Sequence, residues 1–315
     1  MGTQQYKGLV IRVTGKEVWV DSGDEMIRCL LRGRLRREGR GFQVVAGDRV
    51  NVTLPEGGGN GAIESVDPRD TWLSRYAGAR YSGARDGVER VIVANIDTLF
   101  LVESLRSPKL SHRFVDRVLV SAESGHVKVG ICLNKIDLCR NDEDIEGFIK
   151  IYEPLGYPVI ASSAETGDGL EQIESALEGG IYAFVGRSGV GKSSLLNRID
   201  PNLNLRVGEV AQKTGRGKHT TTYSQLYPLK GGYVADTPGM QTFGHPGQDA
   251  SALPDCFPEF RPLIGACRFH PCTHSHEPDC VIKEAVDNGA IASTRYDSYL
   301  DMLAEIELRE KDQYS

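Results

Sequence analysis

Eight residues, Gly186-Arg187-Ser188-Gly189-Val190-Gly191-Lys192-Ser193, carry the Gly-x4-Gly-Lys-Ser spacing of a phosphate-binding loop. Glycines in such a loop let successive backbone N–H groups turn inward and cradle an anion. Lys192 is then placed to reach the β- and γ-phosphates of a nucleotide, and the Ser193 hydroxyl to ligate Mg²⁺. The apolar run 181–185 before the loop, and Ser194-Leu195-Leu196-Asn197-Arg198 after it, supply the strand–loop–helix setting that the motif requires. Ser194, at the start of that helix, joins the nucleotide-contacting set. Forty-three residues beyond Ser193, a second apolar run ends in Asp236-Thr237-Pro238-Gly239. A carboxylate there can hold Mg²⁺ through water, and the Gly239 N–H can meet a γ-phosphate with no Cβ in the way.

A phosphate loop does not choose a base. Asn134-Lys135-Ile136-Asp137, at the end of the apolar run 127–133, does. The Asp137 carboxylate can accept from both N1–H and the N2 amino group of guanine. Adenine offers neither donor and would leave that carboxylate unpaired. Lys135 would lie along the base, and Asn134 would tie this loop to the phosphate loop. Ser163-Ala164, in the next strand-ending segment, is small enough for a backbone N–H to approach guanine O6, although such Ser/Thr clusters also make ordinary turns.

These are guanine-nucleotide motifs in a permuted order, since Asn134 precedes Gly186 by 52 residues. A sheet survives such a cut when its ends lie close together. The polar segment 215–222 should supply the threonine that completes the Mg²⁺ shell, and spacing to the following strand favours Thr221. After Gly239, where many GTPases place a glutamine that orients water, stands Met240, whose thioether cannot do so. His219 is the nearest titratable substitute, and a merely solvated loop histidine reads the same way in sequence.

Cys267, Cys272, His274 and Cys280 fall within fourteen residues. Three thiolates and one imidazole suit a closed tetrahedral Zn²⁺ site, with His270 and His276 as competing imidazoles. Cys29, Cys132, Cys139 and Cys256 read as ordinary free cysteines.

The elements that must position these groups fall into three stretches. Residues 1–67 contain five short β-rich runs, at 9–13, 17–20, 26–31, 48–52 and 62–66, separated by turn residues. A small barrel follows, an OB-fold first and an SH3-like barrel as its near equivalent. Over 68–244, the runs 91–94, 98–102, 127–133, 158–161, 181–185 and 233–235 alternate with helical stretches, which describes a parallel sheet covered on both faces. Residues 245–315 are rich in Pro, Cys and His until an amphipathic helix begins at about 289.

In 315 residues, 25% are charged and 40% apolar, an ordinary globular composition. Thirty-seven basic against 43 acidic residues, a net charge of −6, exclude a globally basic nucleic-acid coat but not a local basic surface. Such surfaces exist: Arg28, Arg32, Arg34, Arg36, Arg37 and Arg40 face only Glu38, and Arg206, Lys213, Arg216 and Lys218 face only Glu209. On an OB-type barrel the first cluster would bind RNA backbone, and a solvated rim is the plainer alternative. With no signal-like N-terminus and no run long enough to span a membrane, a cytoplasmic protein with no membrane partner is expected; a monomer is the default expectation, and no motif bears on it.

Barrel, permuted nucleotide motifs and Cys/His segment, in this order, closely resemble the RsgA family of bacterial small ribosomal subunit biogenesis GTPases. The resemblance spans essentially the whole chain. It rests on Asn134 to Asp137 ahead of Gly186 to Ser193, then Asp236 to Gly239, then Cys267-x4-Cys272-x-His274-x5-Cys280. It implies an N-terminal OB-fold, a zinc-binding C-terminal domain, and hydrolysis of GTP with Mg²⁺ stimulated by the 30S subunit and its 16S rRNA late in maturation. It also implies that His219 assists hydrolysis and that an apolar residue at 240 replaces the glutamine. A nucleotide-gated RNA-binding module, with hydrolysis incidental, is the competing reading.

Overall fold

The computed structural model describes residues 2–15, 17–31, 44–77, 88–139, 141–203, 225–236 and 249–313. Strands β1 (Thr3–Thr14), β2 (Glu17–Asp21), β3 (Met26–Leu31), β4 (Arg49–Pro55) and β5 (Gly61–Val66) alternate buried and exposed side chains. Period-2 alternation puts Val10, Val18, Val20, Ile27, Cys29, Val50, Val52 and Ile63 in one interior and the polar residues outside. β1 pairs antiparallel with both β2 and β4, β2 with β3, β3 parallel with β5, and β5 antiparallel with β4, so the strands close into a ring. That closure is the five-stranded Greek-key barrel of an OB-fold. A register shift between Val10 and Arg12 bends β1, which lets one strand serve two neighbours.

Strands β6 (Trp72–Ala77) and β7 (Val88–Ala94) form a separate antiparallel pair. This corrects the expectation that 91–94 belongs to the parallel sheet. A short apolar run looks the same in either setting, and pairing with β6 decided it.

The main sheet is built from β8 (Thr98–Ser104), β9 (Lys128–Asn134), β10 (Val159–Ala161), β11 (Ile181–Val185), β12 (Gln225–Leu229) and β13 (Gly232–Asp236), in the order β10-β9-β8-β11-β13-β12. All neighbours are parallel except β12 with β13. β8, β9 and β10, which precede the phosphate loop in the chain, stand on one side of β11, and β13 and β12 stand on the other. Strands from before and after the phosphate loop thus share one sheet despite the permuted motif order. One pairing, Arg12 with Gln225, joins this sheet to the barrel.

Helices α1 (His112–Ser124), α2 (Glu143–Tyr152), α3 (Leu170–Ser175) and α4 (Lys192–Ile199) cover the sheet. Ser111 caps α1, its Oγ accepting from the Phe114 N–H. α1 is apolar on two sides: Val115, Val118, Leu119 and Ala122 face the sheet core, while Val120 enters a second core. That second core belongs to the C-terminal part, with α5 (Val281–Asp287) and α6 (Ser293–Gln313). Phe257, Phe260, Tyr299, Met302, Leu303 and Ile306 fill it. Among the described residues no helix is long and apolar enough to cross a membrane.

Candidate functional site

The phosphate loop leaves β11 and enters α4 at Lys192. Two of its glycines are sterically required. A Cβ at Gly186 would overlap the Val102 carbonyl, and one at Gly191, which has φ +98°, would overlap the Asn134 amide. Val190 is buried beneath the loop, and Ser193 is 6% exposed. Ser188 and Gly189 stand exposed at the tip, with Ser194 partly buried behind. The Lys192 ammonium donates to the carbonyls of Gly186 (2.6 Å) and Arg187 (2.8 Å). Burial draws its pKa down to about 8, against the opposing pull of Glu103. The lysine is thus folded back on its own loop, on two acceptors that anionic oxygens could replace.

Asn134, 1% exposed at the end of β9, joins two loops. Its Nδ2 donates to the Val190 carbonyl (2.7 Å) and its Oδ1 accepts from the Ala164 N–H (3.2 Å). Lys135 adopts φ +65°, and its ammonium spans the carbonyls of Ser107 (2.8 Å) and Gly189 (2.6 Å). Asp137 is exposed, and the buried Ser163 hydroxyl donates to its Oδ1. Ser163 Oγ also accepts from the N–H groups of Glu165 and Thr166, each at 3.2 Å, so the carboxylate is aimed from a fixed base. Phosphate loop, Asn134–Asp137 and Ser163–Ala164 therefore line one edge of the sheet, at the carboxyl ends of β11, β9 and β10, where ligands bind in such folds.

β13 runs beside β11, with Ala183 opposite Ala235, which brings the Asp236 backbone to the same edge. Thr221, His219, Gly239 and Met240 lie outside the described residues, as do the basic residues at 32–40 and 206–218. Arg28 is described: it is exposed on β3 and ion-paired with Glu17.

Sequence reasoning missed Glu103. This carboxylate, fully buried at the end of β8, receives Arg187 Nε on Oε1 (2.6 Å) and Arg187 Nη2 on Oε2 (3.3 Å). A charged residue at the end of an otherwise apolar strand was the available signal.

The Cys/His segment closes on itself. Cys267 Sγ lies 3.5 Å from His274 Nδ1 and 3.9 Å from Cys280 Sγ, and His274 Nδ1 lies 3.4 Å from Cys280 Sγ. With Cys272, one donor atom from each residue falls within 4.8 Å of every other. A tetrahedral ion with metal–sulfur bonds of about 2.3 Å spaces its ligands roughly 3.5–3.8 Å apart, so the donor set fits a metal ion. His270 and His276 are exposed and outside the set. Tyr296 donates to the His274 carbonyl (2.8 Å), and Glu277 accepts from the N–H groups of Thr273 (2.7 Å) and Ser275 (3.2 Å). These bonds hold the loop in shape from behind the ligands.

A family model described as RsgA GTPase matches residues 66–246. A protein of Moorella thermoacetica named Small ribosomal subunit biogenesis GTPase RsgA is 39% identical over 306 residues, covering 97% of this chain and 99% of that protein. A protein of the same name from Gemmatimonas aurantiaca is 39% identical over 309 residues, covering 96% and 98%. Among solved structures, YjeQ from Thermotoga maritima matches with a TM-score of 0.75 at 34% identity, covering 96% of this chain and 99% of the other. YloQ, described as a circularly permuted GTPase, matches with a TM-score of 0.72 at 28% identity, covering 97% and 96%. These matches cover nearly the whole chain, which belongs to the RsgA family of circularly permuted GTPases.

Proposed function

We propose that this GTPase acts in the biogenesis of the small ribosomal subunit, the role its relatives are named for, and that the 30S subunit and its 16S rRNA switch on its turnover. The observation that carries the nucleotide reading is Asn134, one buried side chain bonded to both the phosphate loop and the Ser163–Ala164 segment. A loop pair locked together in this way suits a ligand that has phosphates at one end and a base at the other.

In this reading Asp137 accepts from N1–H and N2 of guanine, Ser163 holds it in line, and the Ala164 segment faces O6. Lys135 lies along the base. Gly186 to Ser194 enclose the phosphates, and Lys192 exchanges its two carbonyl partners for phosphate oxygens. Ser193, Asp236 and Thr221 hold Mg²⁺, which when bound neutralises charge developing between the β- and γ-phosphates. His219 orients water in place of the side chain that Met240 cannot provide, and Gly239 meets the γ-phosphate. Cys267, Cys272, His274 and Cys280 hold one structural Zn²⁺, because three thiolates and an imidazole fill all four positions and leave none for substrate. Residues 1–67 form the RNA-binding barrel, 68–244 the GTPase domain and 245–315 the zinc-binding domain of a cytoplasmic monomer.

GTP turnover with and without purified 30S subunits tests this. Acceleration of about 10²-fold or more is expected, with most of it lost in His219→Ala while GTP affinity holds. Equal rates with and without subunits would instead leave a nucleotide-gated RNA-binding module.

A further inference from the structure

Glu103 is fully buried, and a buried carboxylate is stable only when its charge is met. Three donor–acceptor pairs link it to Arg187: Nε to Oε1 at 2.6 Å, Nε to Oε2 at 3.3 Å and Nη2 to Oε2 at 3.3 Å. The same Nη2 also donates to the Lys109 carbonyl. Arg187 is the first residue of the phosphate loop after Gly186, and its own carbonyl accepts from the Lys192 ammonium at 2.8 Å. A chain of contacts thus runs from the end of β8, through the Arg187 side chain and backbone, to the lysine that faces phosphate. The segment between β8 and α1 braces the other side as well, since the Ser107 carbonyl takes Lys135. A carboxylate in the loop's own floor would ordinarily repel a polyphosphate. Here a bidentate guanidinium pairs with it, so beyond its pull on Lys192 its effect is to fix the loop's shape.

We propose that Glu103 is a positioning residue for nucleotide binding, acting through Arg187 to hold the phosphate loop preformed around the α- and β-phosphates. This rests on the nucleotide reading above. Because GTP and GDP share those phosphates, the contribution is uniform binding, and its loss falls on KM rather than on kcat.

The test is a double-mutant cycle on the full-length, metal-loaded protein, read by titration with a fluorescent GDP analogue and by GTP turnover. Glu103→Gln keeps the shape but turns an amide toward the guanidinium, and should weaken GDP and GTP alike by about tenfold, mainly by faster release. Arg187→Gln should do the same, and the double variant should be no weaker than either single one. The preference for guanine over adenine, set elsewhere, should stay. If Glu103→Gln folds poorly, Arg187→Gln, on a partly exposed side chain, still reads the loop's dependence on the pair. An equal loss from Glu103→Gln in both backgrounds would overturn the proposal. So would unaltered affinity in Glu103→Gln alongside a lowered melting temperature, which would make the pair a fold support only. Failure of the unaltered protein to bind GDP would instead overturn the nucleotide reading.

Discussion

Lys192 shows how much of a binding site is decided by what a side chain does before the ligand arrives. Burial lowers its pKa to about 8 although Glu103 pulls the other way. The charged form is the one that binds phosphate, and bound phosphates favour it further. Below about pH 8 the lysine is already protonated and GDP affinity should be flat. Above it, binding must take up a proton, so affinity should fall by up to tenfold per pH unit. Titration calorimetry in buffers of different ionisation enthalpy checks the proton uptake, and affinity unchanged from pH 7 to 9.5 would contradict it. The placing of Lys192, Asn134 and Asp137 beside one another was legible because each stands within a few residues of a strand end. Glu103 was not, because its partner Arg187 lies 84 residues away and only the β8–β11 pairing makes them neighbours.

At the scale of elements, the loop from Cys267 to Cys280 has no helix or strand of its own. Its shape depends on side chains converging on one point, and Cys267 and Cys280 also belong to the core that α5 and α6 complete. One Zn²⁺ per chain is expected. Strong chelation should melt this C-terminal part, because binding energy at such a site is folding energy. GDP binding should largely survive, since among the described residues Cys267, Cys272, His274 and Cys280 gather with one another and with the C-terminal core. Metal analysis of protein purified without chelator, followed by proteolysis with and without chelation, checks both halves. Absence of zinc, or resistance to proteolysis after chelation, would count against the assignment. The choice of His274, made in sequence, still had His270 and His276 as competitors there, because all three are close enough along the chain. It was decided by which imidazole the folded loop turns inward, helped by φ +58° at His274. β1 tells a similar story: 9–13 was readable from its apolar residues, but the polar 3–8 segment is strand because it pairs with β4.

Across the whole molecule, α1 is the shared wall between the GTPase sheet and the C-terminal part. Arg295 of α6, 1% exposed, reaches across to Asp116 of α1 (2.7 Å) and to Glu259 (2.7 Å), with its guanidinium 4.7 Å from the Phe257 ring. Asp116 also accepts from the Tyr152 hydroxyl of α2 (3.0 Å). Arg295→Met would strand two buried carboxylates and should cost about 3–5 kcal/mol, seen as early melting of the C-terminal part. Arg113→Ala breaks half-exposed pairs with Asp301 and Glu305 and should cost less than about 1 kcal/mol. Comparable costs in thermal unfolding would mean that the buried triad does not hold the two parts together. α1 follows directly from the 104–110 segment that touches Arg187 and Lys135, so the docked C-terminal part and the nucleotide loops share one support.

The sequence by itself determined the reaction class and the base, the metal-type donor set and the permuted order, because each depends on residue types at short, fixed separations. Apolar alternation and apolar runs likewise separated barrel from α/β sheet, since burial on one face or two leaves a local mark. Which strands became neighbours was decided only in three dimensions. So were the antiparallel β6–β7 pair, the joining of barrel and sheet through β1 and β12, the Glu103–Arg187 brace and the Arg295 triad across α1. Apart from the β6–β7 pair, whose strands follow one another, each depends on groups distant in the chain whose charge or hydrogen bond has no partner within reach of its own segment. Burial forces such groups to find one, and the fold determines which one is there.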